Sequence, residues 1–407
     1  MSGAWAIAEQ TARESYGRLL AWLSARTGDV AAAEDALADA FRAALEHWPE
    51  KGAPKSPEAW IITTARRKLI DHARKQKTRS DAHSAVLLAA EEAESEANSE
   101  SQFPDERLKL MLICAHPAIE PSVRTPLILQ TVLGLDAARI ASAFLISPKA
   151  MSARLVRAKR KIKEANIPFT APSLDVLPER LSAVLDAIYA AFGTGWNDFD
   201  GAEDSAGGLT LEAIFLAKLL TTLSPDEAEA WGLLSLMLHA EARRNARRDD
   251  GAYVSLKDQD TRAWDKTLIA KAEEALAKAW RLDKPGRFQI EAAIQSAHAA
   301  SRLQDRDVTE DVILLYQRLI ELAPTLGAQT GFAAALSNGG RDEDALTLLD
   351  GINDHAVSSY QPYWAVRAHI LGTLNRNEEA RGAYERAIGL ASDISVRAFL
   401  HHKKKAL

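Results

Sequence analysis

Residues 134–162 read GLDAARIASAFLISPKAMSARLVRAKRKI, a pattern of helix, tight turn and basic second helix. Ile140, Ala141, Phe144 and Leu145 stand at helical spacing and predict the buried side of the first helix. Ser147 offers an N-cap oxygen, and Pro148 suits the first helical position, where a missing N–H costs nothing. Met151, Leu155, Ala158 and Ile162 form an inward stripe, which leaves Lys149, Ser152, Arg154, Arg157, Lys159, Arg160 and Lys161 facing out. This is the layout of a helix-turn-helix whose second helix enters a DNA major groove. An ordinary bundle helix with a solvated basic face would carry the same charge. The agreement of cap, stripe and charge favours the helix-turn-helix.

Charge alternates sharply around this motif. The chain of 407 residues has a net charge of −6, with 47% apolar and 26% charged residues. Residues 1–80 carry +3, 81–106 carry −8, 107–168 carry +8 and 169–407 carry −9. Two basic blocks separated by an acidic stretch point to nucleic acid as the partner of the blocks. No apolar run approaches a membrane span, and acidic residues stand near the start where a secretory signal would be apolar. The expectation is a cytoplasmic protein without a membrane partner. The single cysteine, Cys114, excludes an internal disulfide framework and reads as core.

The predicted fold is all-α, because amphipathic Ala-rich stretches dominate and no alternating β-branched run stands out. The first domain is placed at 5–79. Tyr16, Leu19, Leu20 and Leu23 mark one helix, Gly28-Asp29 breaks it, and a second follows with Ala36, Leu37, Ala40, Phe41 and Leu45 inward. Pro49 to Pro57 reads as a loop, and a third helix starts at Ser56-Pro57-Glu58. Residues 80–103 read as a flexible acidic linker, 104–168 as the domain holding the helix-turn-helix, and 174–407 as a large helical extension. Within the extension, GRDEDALTLLDGI (Gly340–Ile352) and NRNEEARGAYERAI (Asn375–Ile388) align at an offset of 35, close to the tetratricopeptide period. AEEALAKAWRLD (Ala272–Asp283) is a weaker relative.

LLAWLSARTGDVAAAEDALADAFRAALEHWP, PEAWIITTARRKLIDHARKQKTR and the helix-turn-helix, in this order, resemble the two domains of a bacterial extracytoplasmic-function RNA polymerase sigma factor. The extension resembles the subgroup with a tetratricopeptide-like C-terminal domain. The resemblance implies core RNA polymerase and promoter DNA as partners and no enzymatic activity of the chain's own. It implies that Glu34, Asp35 and Asp39 face the polymerase clamp. It places Arg66, Arg67, Lys68, Asp71, Arg74, Lys75, Lys77 and Arg79 at the −10 element, and the outward residues of the second basic helix at the −35 element. Arg154 and Arg157 are the candidates for base contacts, since Arg binds guanine O6 and N7 bidentately. Two residues depart from the family pattern: Arg67 replaces an Asn, and Arg139 replaces an acid.

No phosphate-cradling, nucleophile or metal-ligand motif is evident, so neither a cofactor nor a metal is expected. Ala191–Gly208 is glycine-rich and acidic, but its spacing departs from a calcium loop. His401 and His402 precede three lysines and read as a fraying helix end. The alternative reading is a helix-turn-helix repressor or activator with a repeat-type effector domain. A pure interaction scaffold would have no use for the basic helix.

Overall fold

A computed structural model describes residues 3–76, 105–144, 146–170, 176–197, 206–353 and 357–407. The chain divides into two compact units, residues 1–198 with 203–213, and 199–202 with 214–407. The fold is helical, and the strands among the described residues form one two-stranded hairpin.

The first unit begins with α1 (Gly3–Thr27), α2 (Val30–Lys51) and α3 (Pro57–Gln76). Gly28 takes the left-handed conformation at φ 66°, where a side chain would be strained, and so ends α1. Asp29 then caps α2, its carboxylate accepting from the Ala32 amide at 3.1 Å. Leu19, Leu20 and Leu23 of α1 meet Leu37, Ala40 and Ala44 of α2 and Ile61, Ile62 and Ala65 of α3 in one core.

Two expectations are corrected here. Leu45 is exposed, and Trp48 takes the inward place, packed edge-on against Trp60 with ring centroids 5.4 Å apart. The loop is also shorter than the prolines implied. α2 runs through Pro49 to Lys51, because a proline this near a C-terminus forfeits one hydrogen bond only, and Gly52 closes it at φ 82°.

α4 (Arg107–Cys114), α5 (Pro121–Leu133), α6 (Ala137–Ala143), α7 (Pro148–Glu164) and α8 (Leu177–Asn197) follow in this unit. α4 and α5 pack on α1 and are covered in turn by α8, which lies within the stretch assigned by sequence to the extension. Arg180 of α8 donates to the Leu112 carbonyl at 3.3 Å. Cys114 is fully buried, 3.4 Å from the Thr131 hydroxyl, and burial pushes its thiol up to about 12. It is core, not chemistry. The acidic linker expected at 80–103 lies outside the described residues.

α9 (Ala206–Leu223) belongs to the first unit up to Ala213 and to the second from Ile214. The second unit continues with α10 (Ala228–Glu241), the hairpin β1 (Arg248–Asp249) and β2 (Ala252–Tyr253), and α11 (Lys266–Arg281). Then come α12 (Arg287–Gln304), α13 (Thr309–Leu322), α14 (Leu326–Asn338), α15 (Asp342–Asp350), α16 (Gln361–Thr373), α17 (Asn377–Leu390) and α18 (Ile394–Lys405). Glu229 of α10 supplies an N-cap from outside: its two oxygens accept from the amides of Phe288 and Gln289, each at 2.9 Å. Gly286 makes room, since a Cβ there would stand 2.2 Å from the Glu229 carboxyl carbon.

The pairs α14–α15 and α16–α17 are built alike. Gly340 (φ 72°) and Asn375 (φ 58°) turn the chain, the amides of Arg341 and Arg376 donate to Leu336 and Leu371, and Ala345 and Ala380 are fully buried. Arg341 pairs with Asp344, and Arg376 with Glu379. His401 and His402 continue α18 as regular helix, held by a Lys404–Glu385 ion pair at 2.6 Å.

Candidate polymerase and promoter interface

The helix-turn-helix is assembled by local chemistry. Gly134 ends α5 in the left-handed conformation, with its amide donating to Gln130. The Asp136 carboxylate caps α6 by accepting from the amides of Ala138 and Arg139, at 2.9 and 2.8 Å. Ser147 caps α7, its hydroxyl accepting from Ala150 at 3.2 Å, and Pro148 takes the first position. Met151, Leu155, Ala158 and Ile162 are buried, as is Ile140 of α6; Phe144 is half-buried, and Leu145 lies outside the described residues.

The outward face of α7 carries Lys149, Ser152, Arg154, Arg157, Arg160 and Lys161, all exposed. Arg160 also pairs with Glu164 at 3.4 Å. Lys159 does not share that face. It is 7% exposed, and its ammonium is ion-paired with Glu34 of α2. The helical stripe that buries Ala158 and Ile162 continues sideways onto α2, so a basic residue at 159 meets an acid instead of solvent. Lys163, one turn on, pairs with Asp29 at 2.7 Å. Sequence reasoning also passed over Val156, which is 59% exposed among the cations. Its signal is a lone apolar residue off the inward stripe.

α1 and α5 meet more closely than side chains allow. A Cβ on Gly17 would stand 1.8 Å from the Val132 carbonyl oxygen, and one on Gly134 would stand 2.8 Å from the Tyr16 ring. Tyr16 stacks on Phe41 and hydrogen-bonds Glu34, and burial, then Glu34 and Asp35, holds its hydroxyl well above the usual range. Glu34 is therefore a hub between Tyr16 and Lys159. Asp35 is exposed, and Asp39 is half-buried and bound to Arg42 at 2.7 Å.

On α3, Arg67, Lys68 and Asp71 are exposed. Arg66 is corrected: it is 3% exposed, its guanidinium lying 4.5 Å from the centre of the Trp22 ring. Arg66 follows Ala65 on the inward side of the helix, so the apolar indole, not a phosphate, receives it. Arg74 and Lys75 fall on the last turn with side chains outside the described residues, as are Lys77 and Arg79 altogether. Glu58, in the first turn of α3, accepts from Ser15 and Arg18 and so ties α3 to α1. Arg139 pairs with Glu212 of α9 at 3.7 Å. Burial raises the Glu212 carboxyl and Arg139 opposes it. Nothing in the sequence around Glu212 announces this partner. Among the described residues no cluster of His, Cys, Asp or Glu is arranged to hold a metal, and no helix is long and apolar enough to cross a membrane.

The three-helix bundle carrying the α2 and α3 faces coincides with a match to sigma-70 region 2 over residues 12–79, which supports placing the chain among sigma-70 family factors. Residues 180–280 match a family of unknown function, DUF6596. Along nearly its whole length the chain is similar to the uncharacterized protein R00370 of Rhizobium meliloti (strain 1021), 37% identical over 90% of this chain and 88% of that one. The chain belongs to the same family as that protein, with a sigma-70 region 2 domain at its N-terminus. No solved structure matches it significantly. The domain indicates a non-enzymatic transcription factor that works with RNA polymerase.

Proposed function

We propose that the chain is an RNA polymerase sigma factor of the extracytoplasmic-function type, acting in the cytoplasm, with α9–α18 as a tetratricopeptide-like regulatory or docking module. One observation carries this reading: a sigma-70 region 2 bundle is followed by a capped helix-turn-helix whose second helix turns six polar or charged side chains outward. In this reading Arg154 and Arg157 reach base edges of the −35 element, and Val156 supplies apolar contact to a thymine methyl. Lys149, Arg160 and Lys161 hold phosphates. Arg67, Lys68 and Asp71 lie toward the −10 element, and Asp35 and Asp39 toward the polymerase. The like turns of α14–α15 and α16–α17 support the repeat character of the module.

The arrangement of α2 and α7 adds a condition. Glu34 is occupied by Lys159, and Asp29 by Lys163, so the N-terminal part of α2 becomes free only when α7 leaves it. Docking of α2 on polymerase and of α7 on the −35 element then follow their separation.

The test is transcription in vitro with bacterial core polymerase and genomic fragments. The chain should direct discrete starts, and Arg157→Ala should weaken promoter use by about 1–3 kcal/mol, or roughly five- to 150-fold. Lys161→Ala should lower the salt dependence of binding by about one ion. A chain that binds operator DNA as a dimer and never associates with core polymerase would overturn the reading in favour of an ordinary repressor or activator.

A further inference from the structure

The second unit holds a cavity of about 440 Å³, walled by the 256–258 turn and by α12, α14, α16, α17 and α18. Its size is in the range of small-ligand sites. Three of the residues lining it are permanent cations from separate elements: Lys257 before α11, Arg302 of α12 and Lys403 of α18. Among the described residues, no carboxylate forms an ion pair with any of them. Arg302 gives one N–H to the Gln259 carbonyl at 3.0 Å, and Lys403 lies 5.4 Å from the Phe399 ring centre. Asp258 accepts from Ser255, and Asp342 accepts from Ser337; both keep their charge but neither is paired with the three cations. The rest of the wall is mixed: Leu256, Ala365, Phe399 and Leu400 give an apolar part, and Ser301, Asn338 and Tyr384 are among its polar members.

Three like charges lining one concave surface, with no carboxylate paired to them among the described residues, favour an anion there. We propose that this cavity binds a small organic anion, a carboxylate or phosphate head on an apolar body, with Lys257, Arg302 and Lys403 holding the head and Phe399 and Leu400 the body. Fork-like hydrogen bonding by Arg302 suits either head group. The inference does not depend on the sigma-factor reading, since it concerns the second unit alone.

Two histidines in the wall give the site a second signature. His298 is lowered to about 4 by burial and then by Arg243, two residues past the end of α10. His369 is also lowered, by burial and then by Lys257 and Lys403, with Asp342 of α15 opposing. Both shifts favour the neutral rings. A bound anion favours their protonated forms. For a carboxylate head, binding then takes up protons and affinity rises as pH falls towards about 5; a phosphate head, whose second ionisation lies at about 6, titrates in the opposite sense.

The experiment is calorimetry on the full chain with 1-naphthyl phosphate, 1-naphthol and inorganic phosphate. The expected result is one site for 1-naphthyl phosphate, at least tenfold tighter than for either fragment. Binding should fall at least tenfold in both Arg302→Gln and Lys257→Gln, each at an exposed position, with the helical signal in circular dichroism expected to be unchanged. Equal binding of 1-naphthol, or binding indifferent to both substitutions, would overturn the proposal. So would tight capture of an acidic decapeptide with none of 1-naphthyl phosphate, which would assign the site to a protein tail.

Discussion

Two joints in this molecule are built on opposite principles. The pairs α14–α15 and α16–α17 use one local device twice: a left-handed residue, a backbone hydrogen bond back into the preceding helix, a buried alanine, and an arginine facing an acid three residues on. The joint between α1–α3 and α4–α7 is made once, from residues far apart in the chain. Gly17 presses on the Val132 backbone, and Lys159 reaches Glu34 across 125 positions. The first joint resists single changes because each part is minor and local. The second concentrates its stability in a few contacts, and it is also the one that must open in the proposed function.

The largest effect should follow Glu34→Ala, which strands the Lys159 ammonium in a closed interface at a cost of about 3 kcal/mol. A double-mutant cycle with Lys159→Met in urea unfolding should return a coupling of about 1–3 kcal/mol. A coupling near zero would make this joint no more concentrated than the repeat turns.

Gly17→Ala comes next. Its methyl group collides with a main-chain oxygen that has no rotamer to escape into, so the cost is about 2 kcal/mol despite the better helix propensity of alanine. Faster amide exchange in α1 and α5 together would register it.

A smaller effect is expected at Asp393, which caps α18 through Ser395 and Val396 and pairs with Arg248 of β1. Burial works against its ionisation, but these hydrogen bonds and Arg248 outweigh it and hold the carboxyl below its usual range. A lowered folded-state value means stability that is present above the ordinary carboxylate value and is lost as pH falls through the lowered one. Asp393→Ala should therefore cost about 1 kcal/mol at neutral pH. It should also flatten the acid limb of thermal stability. Smallest of all, Arg376→Ala should leave the melting temperature unchanged, because its pair with Glu379 is solvent-screened. A clear drop there would show that the repeat turns depend on their ion pairs after all.

Legibility followed the range of the interactions. Ser147, Pro148 and the 151–155–158–162 stripe were readable because capping and helical period act within one turn of chain. The repeat offset of 35 was readable for the same reason. Leu45 and Trp48 were exchanged because a stripe read from sequence fixes an angle around a helix, not where the neighbouring helix ends. Arg66 was assigned to phosphate because charge is visible in a sequence, whereas the Trp22 ring that receives it lies 44 positions away.

The sequence by itself determined the helices, their caps and turns, the basic outward face of α7 and the all-α character, since these depend on neighbours within a few residues. Only the tertiary structure decided that Lys159 turns to Glu34, that Arg139 finds Glu212, that Glu229 caps α12, and that Lys257, Arg302 and Lys403 surround one cavity. The physical reason is that each of these depends on two helices arriving at one place. Spacing along a single chain carries no record of that meeting.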